Sequence, residues 1–515
     1  MLLLKDFDLQ ASWLIEKLSH LVLSVLIICS SAQLAHAQDT ESSPVWLEAM
    51  KNGIQARSAG DYKLAKEYFS QAVDASAKGK DGEKDRARAL IMKGNMCKRL
   101  QESPEAIDIY KQAIALYEKI SGPESNDVGV CLDNMALVYM QMNNYAEADK
   151  LEARALKILR KNPGNKNYDL VMVLANLAGN ARDQKDLKKS ELYAQEALKY
   201  ALAYSDENAL TVANVYELLG SLSSEQDQPK KSLDYHLKAY EIYKLKAGNN
   251  DVDTLLSATN LGVAYLKVHQ AQDALPLFEN AKEGMAKIYG ITSKLYAEAC
   301  FGRGIALEDL GRYLDAVDDL AIYETIRYPN EIADQDLKSL TKTEEPVKAL
   351  VGYGSKLVQV PNTSYRTLRA LKTALGYDSK MPGLYLLTGM TYLQANKTKP
   401  AIEFLDKAIE LDPSGFFAYR LRGFAYAFNK QFDKALADMN KALELKPDNL
   451  GYYFRAQVYA DQNKNELALQ DLNKSIELDA KDSSVYKLRA KVNAALGKKE
   501  ASETDLAKAK ELSGS

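Results

Sequence analysis

Histidine, cysteine and tryptophan are scarce in this chain of 515 residues, which has four histidines, four cysteines and two tryptophans. Two of the histidines lie within residues 1–37, so the remainder of the chain has only His236 and His269. This pair gives no metal-ligand spacing and no readable nucleophile–base pair. No glycine-rich phosphate loop follows a strand, because no strand pattern occurs. The sequence therefore predicts a protein that is not an enzyme and has neither a cofactor nor a metal site.

An excess of either charge is also missing. The chain has 67 basic and 70 acidic residues, a formal net charge of −3. Such a balance argues against a nucleic-acid or other polyanion partner. Apolar residues make up 46% of the chain, which is enough to form a large core.

Long apolar runs are absent except near the amino terminus. The run from Leu21 to Ile28 is followed by Ala35-His36-Ala37, a small-x-small site. We predict a secretory signal peptide over residues 1–37 and an exported protein, periplasmic or extracellular. The alternative is an anchor formed by an uncleaved amino-terminal segment. The apolar segment from Leu21 to Leu34 is shorter than the roughly 20 residues of a spanning helix, so no stable membrane span is expected after cleavage.

Only three cysteines follow the predicted signal peptide: Cys97, Cys131 and Cys300. An odd number of cysteines, scattered over about two hundred residues, does not indicate a disulfide framework. We expect all three to be small apolar packing residues in helices.

An internal repeat organises the carboxy-terminal part of the chain. Gly389 lies twelve residues before Ala401, which lies seven before Ala408, so two amphipathic helices can cross closely at small residues. Pro413 then ends the second helix. The same residue types recur 34 positions later at Gly423, Ala435, Ala442 and Pro447. This pattern resembles the tetratricopeptide repeat, and the resemblance implies an all-α, right-handed solenoid of 11–12 helix-turn-helix repeats in two arms.

Upstream the period lengthens to 42 residues. Its first small position is filled by Gly94, Ala136, Ala178, Gly220, Gly262 and Gly304. Roughly residues 80–325 resemble the kinesin light chain type of repeat, most plainly where Gly122-Pro123 precedes Asp127-Val128. No heptad coiled coil comes before these repeats, so the resemblance implies the peptide-binding design of that family without its motor-associated role.

The repeats and their breaks predict a sequence of domains. These are a signal peptide (1–37), a disordered leader (38–44), seven 42-type repeats (45–325), a linker or hinge (326–344), a degenerate repeat (345–381) and four 34-type repeats (382–515). The last helix presents polar residues outward, and we expect it to cap the array. Whether the two arms form one continuous solenoid stays open.

Two sets of residues are candidate binding sites on the first helices, which line the concave surface in this fold. Asn134, Asn176 and Asn260 occupy the slot two before the first small residue. In kinesin light chain-type repeats an asparagine there hydrogen-bonds the backbone of an extended peptide; the alternative is that it satisfies a neighbouring helix. The second set is apolar and could bind a partner or simply pack: Leu386, Met390, Leu393, Phe424, Phe428 and Tyr453.

A further pattern pairs an arginine with an aspartate sixteen residues later: Arg303 with Asp319, Arg422 with Asp438, Arg455 with Asp471 and Arg489 with Asp505. We predict salt bridges within single repeats rather than an anion-binding row.

Together these patterns favour a non-catalytic scaffold that binds extended peptide segments of other proteins on its concave surface. A structural or polysaccharide-export component of the cell envelope is an alternative, and an enzyme with a site built across repeats is a weaker one. The sequence names neither the partner nor the oligomeric state.

Overall fold

The computed structural model describes residues 44–58, 60–76, 80–161, 168–204, 210–329, 341–343, 345–357 and 363–513. The predicted signal peptide, almost all of the predicted leader and most of the predicted hinge lie outside these ranges. Every regular element in the described ranges is an α-helix, so the predicted all-α class is confirmed. No helix within those ranges is both long and apolar enough to cross a membrane.

The helices fall into two compact units, which we call the amino-terminal unit (described over 44–270) and the carboxy-terminal unit (271–513). The amino-terminal unit contains α1 Pro44–Ser58, α2 Tyr62–Ala75, α3 Lys80–Arg99, α4 Ser103–Ser121, α5 Asn126–Gln141, α6 Tyr145–Lys161, α7 Tyr168–Asp183, α8 Leu187–Tyr204, α9 Leu210–Glu225, α10 Pro229–Lys246 and α11 Val252–Lys267.

The carboxy-terminal unit contains α12 Ala271–Tyr289, α13 Lys294–Asp309, α14 Tyr313–Arg327, α15 Pro346–Leu357, α16 Ser364–Tyr377, α17 Pro382–Gln394, α18 Thr398–Leu411, α19 Phe416–Phe428, α20 Phe432–Leu445, α21 Asn449–Asp461, α22 Asn465–Leu478, α23 Ser483–Ala495 and α24 Lys499–Ser513.

Close crossings within each helix pair explain the small residues of the repeat. A Cβ atom added to Gly389 would lie 2.7 Å from Cγ of Leu405, and one added to Gly53 would lie 2.6 Å from the ring of Phe69. These distances are shorter than a van der Waals contact, so a side chain there would force the helices apart. The alanine slots, such as Ala401, are buried because the partner helix lies directly over them.

A left-handed residue separates the two helices of each regular repeat. It lies seven positions after the first small residue, and its φ is between 56° and 79° in eleven described repeats. The residues are Gly60, Gln101, Asn143, Lys185, Asp227, His269, Gly311, Asn396, Lys430, Asn463 and Gly497. This conformation stops the first helix and reverses the chain, so His269 is a turn residue.

The predicted arginine–aspartate bridges are confirmed. Arg455 donates from Nε and Nη2 to the two carboxylate oxygens of Asp471, each at 2.7 Å. Its third nitrogen, Nη1, donates to Asn440 on α20 of the preceding repeat at 2.7 Å. Arg422 and Arg489 repeat this three-way arrangement with their own aspartates and the preceding second helix. Each arginine therefore ties one repeat internally and to its neighbour.

The segment predicted as a hinge and α15 both lie between two helices that pack together. Helix α14 packs directly against α16, within the carboxy-terminal unit. The Glu324 carboxylate near the end of α14 accepts the backbone N–H groups of Tyr365 and Arg366 at 3.2 and 3.0 Å. It therefore caps α16, whose own N-cap residue, Thr363, makes no side-chain cap. The division of the chain at residues 326–344 stays a prediction.

Candidate peptide-binding surfaces

The first helices of successive repeats approach each other in both units. In the amino-terminal unit α5 contacts α7 and α7 contacts α9; in the carboxy-terminal unit α17, α19, α21 and α23 contact in turn. Elements that touch their counterparts in the next repeat lie on the shorter side of a curved stack. We call this side the inner surface of each unit.

Asn134 and Asn176 are hydrogen-bonded within the inner surface of the amino-terminal unit. The Asn134 amide donates to the carbonyl oxygen of Val130 at 3.0 Å, and its oxygen accepts from Nζ of Lys98 at 3.2 Å. The Asn176 amide donates to the Asp133 carboxylate of the preceding repeat at 2.9 Å. Both asparagines therefore join neighbouring first helices.

Asn260 belongs to a buried cluster centred on Glu217. The Glu217 carboxylate accepts from Asn260 at 2.7 Å and from the hydroxyl of Ser257, and it lies 2.8 Å from Nδ1 of His236. All four side chains are buried. Glu217 precedes Asn260 by 43 residues, the same separation as Asp133 and Asn176. The same pattern therefore occurs twice: an asparagine on one first helix donates a hydrogen bond to a carboxylate on the preceding first helix.

The peptide-binding role of these asparagines stays a prediction, since each amide already has a partner inside the protein. Sequence reasoning missed the acidic partners of these asparagines. Asp133 and Glu217 lie three residues before the first small residue of the preceding repeat, one position earlier than the asparagine slot. A further link between first helices is the buried ion pair of Arg182 and Glu225, with Nε and Oε1 at 3.5 Å.

Burial changes the acidity of two carboxyl groups at the junction of α5, α6 and α7. Desolvation raises the pKa of Asp133 to about 7, although Asn176 and Lys98 oppose the rise. Desolvation also raises the pKa of Glu152 to about 7, against its hydrogen bond from Asn180. Both groups sit where water cannot stabilise their charge, so protonation near neutral pH is favoured.

The inner surface of the carboxy-terminal unit is different in chemistry. Leu386, Met390, Leu393, Phe424 and Tyr453 are half-buried there, and Phe428 is 46% exposed. The rings of Phe424 and Tyr453 both pack against Phe454, with centroids 5.6 and 5.4 Å apart. The six predicted residues thus lie on three consecutive first helices, α17, α19 and α21.

Two further residues extend this set beyond the prediction. Phe417 is 46% exposed and Leu450 is 37% exposed, each in the first turn of its first helix. Phe417 precedes Phe424 by seven residues and Leu450 precedes Tyr453 by three, so helical periodicity could have found both. We call the eight residues the apolar inner surface: Leu386, Met390, Leu393, Phe417, Phe424, Phe428, Leu450 and Tyr453.

The residue types needed for metal binding come together at one described place. Cys97, Glu102 and Glu105 are close enough for a metal ion. Nζ of Lys66 already lies 2.7 and 2.8 Å from the two carboxylates, so an ammonium group occupies the position of a cation. Cys97, Cys131 and Cys300 are buried, as predicted for packing residues.

Family models confirm the repeat type. Models described as tetratricopeptide repeat match residues 47–119 and 85–161, residues 416–449, and residues 382–414 and 451–482. These matches fall in both units and agree with the helix pairs described above. Such repeats support a protein-interaction scaffold.

Several known proteins are similar to parts of this chain. "Protein KINESIN LIGHT CHAIN-RELATED 2" of Arabidopsis thaliana is 21% identical over 269 residues, which span 51% of this chain and 40% of that protein. "DnaJ homolog subfamily C member 3 homolog" of Dictyostelium discoideum is 41% identical over 66 residues, 13% of each chain. The crystal structure of BtubC (BKLC) from P. vanneervenii matches with a TM-score of 0.40 and 15% identity, covering 45% of this chain and 94% of its own. The chain therefore spans less than half the length of these two curated relatives.

Proposed function

We propose that this chain, which carries tetratricopeptide repeats, is a non-catalytic scaffold that binds extended peptide segments of partner proteins on its apolar inner surface. The observation that carries the proposal is the exposure of Phe417 and Phe428, each 46% exposed on one first helix. Large aromatic side chains that stay exposed on a contiguous patch are typical of protein-binding sites. Their rings would become buried only against a partner.

The neighbours of Phe417 hold it in place for contact. Its ring lies 4.3 Å from that of Phe416, and the guanidinium carbon of Arg420 lies 4.5 Å from its centroid. Arg420 is in turn paired with Asp448. A ring held by a neighbouring ring and by a paired cation loses little freedom when a partner binds, which favours affinity.

The amino-terminal unit then has a supporting role. The inner-surface groups described there bond to one another across repeats: Lys98 with Asn134, Asp133 with Asn176, and Glu217 with Asn260. A peptide backbone would have to replace these hydrogen bonds before it gained its own. We therefore place the peptide on the carboxy-terminal unit.

Export is part of the proposal. The apolar run from Leu21 and the Ala35-His36-Ala37 site support cleavage after Ala37. Intact-mass analysis of the protein recovered outside the cytoplasm should give a chain that begins at Gln38. A full-length chain in the cytoplasm would contradict export.

Partner capture by matched variants tests the binding surface. The chain from Gln38 onward is immobilised and exposed to proteins of its own compartment, as the wild type and as a Phe417→Ser, Phe428→Ser double variant. Each phenylalanine that becomes buried contributes about 1.5 to 3 kcal/mol, so capture should fall at least about tenfold.

The control removes equally exposed apolar side chains from second helices. Leu478 on α22 is 56% exposed and Leu506 on α24 is 53% exposed. The Leu478→Ser, Leu506→Ser double variant should capture as the wild type does. Equal capture by all three proteins would overturn the proposed site.

A further inference from the structure

The arginine–aspartate bridge is missing from the first of the 34-type repeats. In the other three, the bridging arginine also lies over the ring of the tyrosine three residues before it, with the guanidinium carbon 5.4 to 5.6 Å from the ring centroid. These tyrosines are Tyr419, Tyr452 and Tyr486. The equivalent residue of the first repeat is Tyr385, but Thr388 stands in place of the arginine and Phe404 in place of the aspartate. A position that holds a cation in three repeats therefore has none from its own repeat at Tyr385.

A cavity of about 360 Å³ lies beside Tyr385, between the start of α14 and helices α17 and α18. The side chains of Tyr313, Tyr385 and Phe404 line it. Phe404 is nearly parallel to Tyr385 and to Tyr392, with ring centroids 6.3 and 5.5 Å apart. Tyr313 meets Tyr392 edge-on, with centroids 6.2 Å apart. Parallel rings at these separations are offset, which leaves part of each aromatic face uncovered.

One carboxylate of the cavity has no cation beside it. The two cations that line the cavity are already paired, each at 2.8 Å: Arg312 with Asp315, and Lys407 with Glu410. Glu403 also lines the cavity, and its carboxylate accepts from the hydroxyl of Tyr313 at 3.4 Å. Within the described part of the chain Glu403 forms no ion pair. Burial, followed by the charge of Glu403, raises the pKa of Tyr313 to about 12. The cavity thus combines aromatic rings with an unpaired negative charge.

We propose that this cavity binds a small quaternary ammonium compound. Such a cation is attracted to aromatic faces, and it has no N–H group that needs an acceptor. A guanidinium or a primary ammonium would lack the acceptor that the bridging aspartate provides elsewhere, because the apolar ring of Phe404 replaces it. The cavity volume is near the lower end of the roughly 300 to 1,000 Å³ of small-molecule sites, which suits a compound as small as choline. The inference does not depend on peptide binding at the apolar inner surface.

Isothermal titration calorimetry with choline chloride tests the proposal on the chain from Gln38 onward. The matched neutral probe is the alcohol in which a carbon atom replaces the nitrogen of choline, so that the shape is kept and the charge is lost. Choline should bind saturably at one site. Its affinity should exceed that of the alcohol at least about tenfold, because only the cation is attracted by the rings and by Glu403.

The Glu403→Gln variant removes the unpaired carboxylate at an exposed position. It should weaken choline binding about threefold to fivefold, as expected for one partly exposed charge pair, and should leave binding of the alcohol unchanged. The control is Glu477→Gln, which neutralises an exposed carboxylate on α22, outside the cavity. This control should bind choline as the wild type does.

A second variant restores the bridge of the other repeats. Thr388→Arg with Phe404→Asp recreates the pair formed by Arg422 and Asp438, so a guanidinium should lie over Tyr385 and take the place of the ligand. Choline binding should fall at least about tenfold. Circular dichroism checks that this variant is folded, since Thr388 is buried. If it does not fold, Glu403→Gln and the neutral alcohol decide the question.

Several results would overturn the proposal. These are the absence of saturable choline binding, equal affinity for choline and the alcohol, and choline affinity that Glu403→Gln leaves unchanged. Undiminished choline binding by the folded bridge variant would place the cation elsewhere and overturn the assigned site. None of these results bears on partner capture at Phe417 and Phe428, which is measured separately.

Discussion

The inner surfaces of the two units are built from the same helix positions but differ in chemistry. In the amino-terminal unit Asp133, Asn176, Glu217 and Asn260 bond one first helix to the next. In the carboxy-terminal unit the corresponding surface is apolar and partly exposed, as at Phe428. The comparison shows that one repeat position, three before the first small residue, holds the hydrogen-bonded carboxylate of Asp133 in one unit and the half-buried ring of Tyr453 in the other. Whether the side chain finds a polar partner in the adjacent repeat makes the difference.

The largest effect on stability is expected from removing Glu217. The Glu217→Ala change leaves the buried donors of Ser257, Asn260 and His236 without their shared acceptor. Each buried polar group left without a partner costs about 1 to 3 kcal/mol, so the three together should cost at least about 3 kcal/mol. Urea unfolding followed by circular dichroism should show this loss. A loss below about 1 kcal/mol would mean that the cluster does not hold the repeats together.

A smaller loss is expected from Asn260→Ala. The change removes one of the hydrogen bonds to Glu217, and an unsatisfied buried group costs about 1 to 3 kcal/mol. Partner capture should stay unchanged at a temperature where the variant is folded. Reduced capture with unchanged stability would restore the sequence-based prediction that Asn260 binds the peptide.

The regularity of the repeats was predictable from the sequence because its cause is local. Gly389 and Ala401 meet across one helix pair, and their spacing alone predicts the crossing. The partner of Asn260 was harder to see, since Glu217 lies in another repeat, 43 residues earlier. The packing of α14 on α16 joins two helices that are not consecutive along the chain, and no residue spacing encodes that contact. Exposure of Phe417 likewise depends on what its neighbours leave uncovered.

The buried carboxyl groups of the amino-terminal unit predict a pH dependence. The folded-state pKa of Glu152 is raised to about 7 from an ordinary value of 4.5. The folded protein therefore binds the Glu152 proton more tightly than the unfolded chain does. The proton contributes to the free energy of unfolding at low pH, and this contribution is lost as pH rises from about 4.5 to 7.

Replacing Glu152 by glutamine, its neutral isostere, should therefore raise the unfolding free energy most at high pH. The quantity to compare is the unfolding free energy of the Glu152→Gln variant minus that of the wild type. This difference should be about 1 to 3 kcal/mol more favourable to the variant at pH 8 than at pH 5. Its amide oxygen can still accept from Asn180. Urea unfolding at both pH values measures the difference. A difference independent of pH would show that Glu152 is charged and solvated in the folded protein.

The smallest effect on stability is expected from the apolar inner surface. Phe417 and Phe428 are each 46% exposed, so Phe417→Ser with Phe428→Ser should change the unfolding free energy by less than about 1 kcal/mol. A much larger loss would make these rings part of the fold, and the contrast between the two units would disappear.

Site-specific photo-crosslinking tests the central claim most directly. A benzoylphenylalanine is placed at Leu137 on α5 or at Phe424 on α19, which occupy the same repeat position, one residue after the first small residue. Both side chains are half-buried on an inner surface. Irradiation in the presence of the partner should give a crosslinked product from position 424 and none from position 137. A product from position 137 alone would place the peptide on the amino-terminal unit and contradict the account.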